Sequence, residues 1–274
     1  MPYIHLEATD QSPAICIHYE HYPGPPNAPK IVLIHELGGT LESWFPFVEC
    51  LRNSFDVYVY DQRCAGRSEH TTQQFSIWDL ANDTIRFAGA VGIQSKFVLM
   101  GLAMGAVTAT HVAVNYSQRL HSLILCDGTP HIDKASSEYL SNRADKVRKD
   151  GMRVVAESSF RNAFKNMPSP GPNNNWDQYL EKFISNPPIS YAMQSDALAK
   201  FKLADSDFAR IDVPTLVLTG EHDFIWPPDK GAILASHIKN SEFEVVRDAA
   251  HFPPIQLPDA VVNSILGFFK RKNL

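Results

Sequence analysis

The sequence predicts an α/β fold in which a mostly parallel sheet is covered by helices on both faces. Short apolar segments rich in β-branched residues alternate with helical segments, as expected of strands joined by crossover helices. The central segments, such as residues 30–35 and 96–101, are apolar almost throughout, which is typical of strands buried on both faces. With 44% hydrophobic residues in a chain of 274, a large core is expected.

Seven strands and four core helices are predicted in chain order. The strands are expected at residues 14–19, 30–35, 56–61, 96–101, 122–127, 214–220 and 241–248. The helices are expected at residues 77–91, 103–116, 228–238 and 259–270. The second of these helices begins almost directly after a strand, so the chain must turn sharply there.

Residues 131–207 interrupt this alternation. They contain several amphipathic helical stretches, no convincing strand, and the Pro- and Gly-containing segment 167–175, which reads MPSPGPNNN. We therefore predict a core domain formed by residues 1–130 and 208–274. A helical cap formed by residues 131–207 is expected to be inserted between two core strands.

Charge and cysteine content narrow the classes of function. The formal net charge of −5 provides no basic footprint for nucleic acid, and no apolar run approaches the ~20 residues that span a bilayer. The four cysteines form no C-x-x-C pair, which favours reduced thiols in a cytoplasmic protein and argues against a zinc site. We expect the partner to be a small-molecule substrate, and we expect no cofactor, metal, nucleic acid or membrane. The oligomeric state, monomer or dimer, is left open.

The segment Gly-Leu-Ala-Met-Gly at residues 101–105 carries the clearest chemical pattern. Its spacing and its place between a strand and a helix match the nucleophile elbow G-x-S-x-G, but Ala103 occupies the serine position. The helix that follows would favour a developing negative charge at its N-terminus. A methyl group cannot attack a substrate, so the pattern poses the question of what this site does.

Candidate partners of position 103 follow the ends of other predicted strands, where parallel sheets bind ligands. His251, in a loop after the last strand, is the candidate general base. Asp223 is the candidate acid that orients the imidazole, and Asp127 is the alternative. The backbone N–H groups of Leu37, in the glycine-containing loop IHELGGT, and of Met104 are candidates for an oxyanion hole.

These motifs together resemble the α/β-hydrolase fold superfamily along essentially the whole chain. The resemblance rests on the segments IVLIHELGGTLESW, VYVYDQRCAGRSE, IDVPTLVLTGEHDFIWPP and AAHFPPIQLPDAVVNSILGFF, together with the elbow region. Within the superfamily the chain is similar to 3-oxoadipate enol-lactonases and related small ester and lactone hydrolases, notably at Gly151-Met152 and residues 160–164. It implies a nucleophile at position 103, Asp223 as acid, His251 as base and Leu37 with Met104 as oxyanion donors. The chain departs from the pattern at Ala103 and, more mildly, at Cys64-Ala65.

A substrate pocket is expected between the cap and the core loops. The candidate substrate-binding residues are Trp44, Met152, Phe160, Arg161, Phe164 and Trp226. Arg143, Arg153 and Arg161 are the candidates for a substrate carboxylate, as an enol-lactone acid would require.

Three interpretations of Ala103 remain open. The favoured one is an ester or lactone hydrolase acting through an acyl-enzyme, here in an inactivated Ser-to-Ala form, because the rest of the constellation is retained. The bond cleaved is an ester, a lactone or an amide. The alternatives are a cofactor-independent, dioxygenase-like enzyme with His251 as base and Asp127 as acid, and a non-catalytic protein that binds a small molecule.

Overall fold

A computed structural model describes residues 2–167 and 176–274, and these ranges form eight strands and eleven α-helices. The strands are β1 (Tyr3–Leu6), β2 (Ile15–Tyr22), β3 (Lys30–Ile34), β4 (Asp56–Tyr60), β5 (Phe97–Leu102), β6 (Leu120–Cys126), β7 (Thr215–Gly220) and β8 (Ser241–Val246). The helices are α1 (Phe45–Leu51), α2 (Ile77–Ala90), α3 (Met104–Tyr116), α4 (Lys134–Asp150), α5 (Arg153–Ala163), α6 (Trp176–Ser185), α7 (Pro188–Ala199), α8 (Asp205–Phe208), α9 (Pro228–His237), α10 (Pro253–Gln256) and α11 (Pro258–Lys272).

All eight strands form one sheet in the order β1-β2-β4-β3-β5-β6-β7-β8. Strands β3 to β8 run parallel, whereas β2 pairs antiparallel with both β1 and β4. Strand β5 lies between β3 and β6, with Ile34 opposite Gly101 and Leu102 opposite Cys126. The C-terminal ends of the central strands therefore meet at one edge of the sheet.

Alternate side chains of the central strands enter two different cores. In β3, Ile31 and Leu33 pack in one cluster with apolar residues of α1 and α11. Val32 and Ile34 pack in a second cluster with residues of α2, α3 and α9. Burial on both faces explains why the sequence of this strand is apolar without alternation.

The segment between β6 and β7 is helical. It contains α4 to α8, and its described part contains no strand. The sheet, the flanking helices and this inserted helical segment confirm the predicted fold class. Most of the predicted breaker segment, residues 168–175, lies outside the described residues.

Hydrogen bonds attach this cap segment, residues 131–207, to two loops of the core. Asn186 Nδ2 donates to the Gly38 carbonyl at 2.9 Å, and Gln194 Nε2 donates to the Arg63 carbonyl at 3.1 Å. Both amide side chains are buried. The cap segment is therefore held over the carboxyl edge of the sheet, where the predicted site residues lie.

Strand β1 and helix α1 are absent from the elements predicted above. Strand β1 is a four-residue edge strand in which only Leu6 is buried, so it lacks the apolar run that marks the central strands. Helix α1 is a short helix that begins with Phe-Pro directly after a 3-10 helix, Leu41–Trp44. Within the described ranges, no helix has both the length and the apolar character needed to cross a membrane.

Candidate active site

Ala103 lies in a strained turn between β5 and α3. Its backbone has φ 52° and ψ −114°, a region that residues with a Cβ rarely adopt and that costs about 1–3 kcal/mol. A Cβ on Gly101 would lie 2.1 Å from the Gly105 carbonyl oxygen, and a Cβ on Gly105 would lie 2.1 Å from the Ile34 carbonyl oxygen. The two glycines thus permit a turn that places residue 103 at the N-terminus of a helix.

His251 and Asp223 form a buried hydrogen-bonded pair. His251 Nδ1 lies 2.8 Å from Asp223 Oδ2, and both side chains are almost inaccessible to solvent. The other carboxylate oxygen, Oδ1, accepts hydrogen bonds from the backbone N–H groups of Ile225 at 2.7 Å and Trp226 at 3.1 Å. These donors fix the carboxylate, which in turn fixes the orientation of the imidazole.

Asp127, the alternative acid, lies at the end of β6 beside this pair. Its Oδ1 accepts the backbone N–H of Gly220 at 3.0 Å, and its side chain is fully buried. A ligating atom from each of Asp127, Asp223 and His251 lies within 4.8 Å of the other two. The structure therefore brings both candidate acids to His251, and Asp223 is the one that hydrogen-bonds its ring.

A cavity of about 390 Å³ lies between the cap segment and this edge of the sheet. It brings together six of the predicted site residues: Leu37, Ala103, Met104, Phe160, Trp226 and His251. Met104 is the first residue of α3, so its N–H has no acceptor within the helix. The cavity thus contains position 103, the candidate base and both residues predicted to supply oxyanion donors.

Four predicted substrate-binding residues do not line this cavity. Trp44 is fully buried in the core, where its ring packs against that of Phe47. Met152 packs inside the cap segment in a small apolar cluster that includes Val147. The other two are Arg161, in the last turn of α5, and Phe164, the residue directly after this helix.

Phe164 is buried behind the cavity wall, with its ring centroid 4.6 Å from that of Trp176. The Arg161 side chain is 70% exposed and forms an ion pair with Glu157, one helical turn away. Arg153 is also exposed. The positions of Arg161 and Arg153 on the solvent side of α5 separate them from Arg143, which points into the cavity from α4.

Arg143 is a buried cation in the cavity wall. Its guanidinium donates to the hydroxyl groups of Tyr191, Ser159 and Tyr139, the last at 3.1 Å. Among the described residues no carboxylate forms an ion pair with it, although it is only 9% exposed. The charge of this guanidinium is thus held in the cavity wall by neutral hydroxyl groups.

Glu36 is a cavity residue that the sequence analysis did not single out. Its side chain is buried, and Oε1 accepts hydrogen bonds from the Ser43 hydroxyl at 2.8 Å and the Tyr179 hydroxyl at 2.7 Å. Burial, together with the Glu36 charge, raises the pKa of Tyr179 well above its usual value. The only sequence signal was a carboxylate inside the glycine-containing loop, one residue before Leu37.

The cap segment also contacts the loop that carries the candidate base. The backbone N–H of His251 donates to the carbonyl of Ala163, the last residue of α5, at 3.3 Å. The His251 ring lies beside Trp226 and Phe252, with centroid separations of 5.8 and 5.2 Å. These contacts leave the imidazole little freedom to rotate out of the cavity.

Comparisons with known proteins agree with this architecture. Residues 29–258 match the family model described as alpha/beta hydrolase fold. The chain is 28% identical over 250 residues to 3-oxoadipate enol-lactonase 1 of Acinetobacter baylyi, covering 90% of this chain and 91% of the relative.

Two solved structures share the fold over almost their full length. An esterase from Thermogutta terrifontis, solved with malate bound, superposes with a TM-score of 0.88 at 27% identity, covering 99% of each chain. The enol-lactonase from Burkholderia xenovorans superposes with a TM-score of 0.84 at 27% identity, covering 98% of this chain and 100% of the other. Because the family model spans most of the sequence, the chain belongs to the α/β-hydrolase fold family.

Proposed function

We propose that this site is an ester or lactone hydrolase site whose substrate carries a carboxylate, and that Ala103 leaves it able to bind substrate but unable to form an acyl-enzyme. The observation that carries the proposal is that the strained elbow at residue 103 and His251, whose ring is hydrogen-bonded to Asp223, line one cavity. The similarity to an enol-lactonase and to an esterase supports the choice of bond.

With serine at position 103, the mechanism is acyl transfer. His251 accepts the hydroxyl proton as the oxygen attacks the ester or lactone carbonyl, while Asp223 holds the ring through Nδ1. The N–H groups of Leu37 and Met104 stabilise the oxyanion, and water then attacks the acyl-enzyme with the same base. With alanine, the first step has no nucleophile. Loss of a triad serine lowers turnover by roughly 10⁶-fold in a comparable hydrolase.

Arg143 supports a substrate that carries a carboxylate. A buried guanidinium without an anionic partner is destabilised by its loss of hydration, and a ligand carboxylate in the cavity would compensate for that loss. The planar fork of arginine also suits a carboxylate geometrically. The apolar wall formed by Phe160 and Trp226 would contact the remainder of a small substrate.

The first test restores the nucleophile. Ala103→Ser is compared with the unaltered chain on p-nitrophenyl acetate and on a panel of small enol-lactones, with the Ala103→Ser/His251→Ala double variant as control. We expect hydrolysis only in Ala103→Ser, at a rate several orders of magnitude above that of the double variant. Failure of Ala103→Ser on every ester and lactone would refute the hydrolase proposal. Oxygen uptake with acidic heteroaromatic substrates would then favour the histidine-base alternative.

The second test addresses the substrate carboxylate. Because the unaltered chain does not turn over the ligand, calorimetry gives its Kd directly. We expect Arg143→Gln to weaken binding of a carboxylate-bearing lactone by roughly tenfold to a hundredfold, and to change binding of its neutral primary amide little. Arg161→Gln, which removes an exposed arginine of the cap segment, is the matched control and leaves both affinities unchanged. Equal losses for the two ligands in Arg143→Gln would contradict the proposed ion pair.

A further inference from the structure

Two buried carboxyl groups lie next to the His251 imidazole, which lines the cavity. Asp127 and Asp223 are both almost completely inaccessible, and ligating atoms of the two residues lie within 4.8 Å of each other and of His251. Two carboxylates so close together in a buried site do not both ionise readily, because each charge repels the other. One of them is therefore expected to keep its proton near neutral pH.

The hydrogen bonds indicate which carboxyl group is ionised. Asp223 accepts three hydrogen bonds, from the N–H groups of Ile225 and Trp226 and from the His251 ring. Asp127 accepts one, from the Gly220 N–H to Oδ1, and among the described residues its Oδ2 has no donor. Hydrogen bonds to the charged form stabilise that form, so the charge belongs on Asp223.

The charged groups around Asp127 lead to the same assignment. Titratable side chains close to Asp127 include Asp223 after β7, His251 after β8 and the buried Cys126 thiol in β6. Within the described ranges, no lysine or arginine forms an ion pair with Asp127. Burial, together with the charge of Asp223, raises the pKa of Asp127 well above its usual value.

We propose that Asp127 is a neutral carboxylic acid whose Oδ2–H donates to the Asp223 carboxylate, and that it positions the Asp223–His251 pair. Asp127 then links the pair to β7, because it donates to Asp223 and accepts the N–H of Gly220, the last residue of β7. The backbone favours this role, since Asp127 has φ 46°, which turns the chain sharply at the end of β6. The positioning role of Asp127 in catalysis rests on the proposed function, in which His251 is the base. The protonation state of Asp127 does not depend on that function.

Infrared spectroscopy of the unaltered chain at neutral pH tests the protonation state without any substrate. Carboxylic acids have a C=O stretching band separate from the carboxylate bands, and ¹³C labelling of aspartate identifies it. We expect one aspartic acid band that disappears in Asp127→Asn and persists in Asp212→Asn, a matched loss of one exposed carboxylate. Spectra of Asp127→Asn and the parent that do not differ in this band would overturn the proposal.

The pH dependence of stability gives an independent readout. A carboxyl group with a raised pKa in the folded state binds more protons folded than unfolded, so its contribution to the unfolding free energy falls as pH rises above its unfolded pKa near 3.8. Asparagine has no such dependence. We expect the Tm difference between Asp127→Asn and the parent to shift in favour of the variant from pH 4 towards pH 8. A difference independent of pH would contradict a protonated Asp127.

The positioning role is tested by the low-field NMR signal of the His251 Nδ1 proton, assigned by its loss in His251→Gln. Asparagine keeps a donor towards Asp223, and leucine of similar volume does not. We expect the signal to survive in Asp127→Asn and to shift or broaden in Asp127→Leu, in a protein that remains folded by circular dichroism. The same signal in both variants would show that Asp127 does not position the pair. Because none of these measurements needs turnover, they can fail while hydrolysis by Ala103→Ser succeeds, or the reverse.

Discussion

Ala103 has the strained backbone conformation of a nucleophile elbow, but its side chain is a methyl group. In hydrolases of this architecture the strain at the elbow presents a nucleophile to the substrate. Here a strained backbone, with φ 52° and ψ −114°, presents only a methyl group. The close approach of Gly101 and Gly105 to neighbouring backbone atoms does not involve the side chain of residue 103, so we expect the turn to be kept when that residue is changed.

The strain at residue 103 predicts how substitution of glycine for Ala103 changes the stability of the protein. Ala103→Gly should leave the protein at least as stable as the parent, because glycine adopts this backbone region without steric penalty. Ala109→Gly, in the interior of α3, should lower stability by about 1 kcal/mol or more, from helix propensity and lost packing. Urea denaturation compares the two variants. Equal destabilisation would show that Ala103 is not strained.

Residue roles could be predicted from the sequence where they depend on chain order and strand ends. The pairing of Asp223 with His251 was expected on that basis, although the sequence alone left Asp127 as an alternative acid. The sequence could not show which of the three cap arginines faces the cavity. Only the orientation of α4 and α5 in the folded protein makes Arg143 buried and Arg161 exposed. Trp44 was selected for its aromatic ring, but a ring of this size fills a core equally well.

At the level of elements, the contact between α3 and β3 determines the elbow. Helix α3 approaches the end of β3 so closely that a Cβ on Gly105 would lie 2.1 Å from the Ile34 carbonyl oxygen and 2.8 Å from that of His35. Both obstacles are backbone atoms, which cannot move aside as a flexible side chain would. The helix would have to shift away from the sheet.

Gly105→Ala should therefore lower the free energy of unfolding by about 1–3 kcal/mol, the range found for overpacking. Gly89→Ala is the control, since Gly89 lies in α2 with no atom within 4 Å of the added Cβ. That change should be neutral or stabilise the protein by up to about 1 kcal/mol, because alanine favours helix. Thermal and urea unfolding measure both. Opposite signs are expected, and similar losses in the two variants would contradict the steric argument.

The predicted elements were most accurate where burial on both faces left a continuous apolar run. Strands β3 to β7 all appear within a few residues of their predicted ranges, and α3 differs only at its first residue. Strand β1 and helix α1 were missed because neither has that signal. The former is a short, largely exposed edge strand and the latter contains only seven residues.

For the whole molecule, the inserted helical segment is held by side-chain amides that cross to the core. Gln194 is almost fully buried, and its donation to the Arg63 carbonyl joins α7 to the loop after β4. Gln194→Ala leaves that carbonyl without this donor and removes side-chain packing. The expected loss is about 1–3 kcal/mol, or a fall in Tm of roughly 2–5 °C at an unfolding entropy of about 2.1 cal/mol/K per residue.

Differential scanning calorimetry measures this change, with Gln178→Ala as control. Gln178 is an exposed glutamine of α6. The control should leave Tm within about 1 °C of the parent, as surface substitutions usually do. If Gln194→Ala behaves like the control, the cap segment is held by other contacts. The inserted segment could be predicted from the sequence because it interrupts the alternation of strands and helices. The buried glutamine and asparagine that attach it to the core could not, because single polar residues produce no periodic pattern.

The hydrogen bond from the His251 amide to the Ala163 carbonyl has a consequence for measurement. Any separation of α5 from the loop that carries His251 breaks this hydrogen bond and lets the amide exchange with solvent. Its deuterium uptake, followed by mass spectrometry or NMR, therefore reports how often α5 and that loop separate. A bound ligand that contacts both α5 and His251 would slow this exchange even though residue 103 performs no chemistry. A single backbone amide thus reports on the attachment of the cap segment to the candidate base.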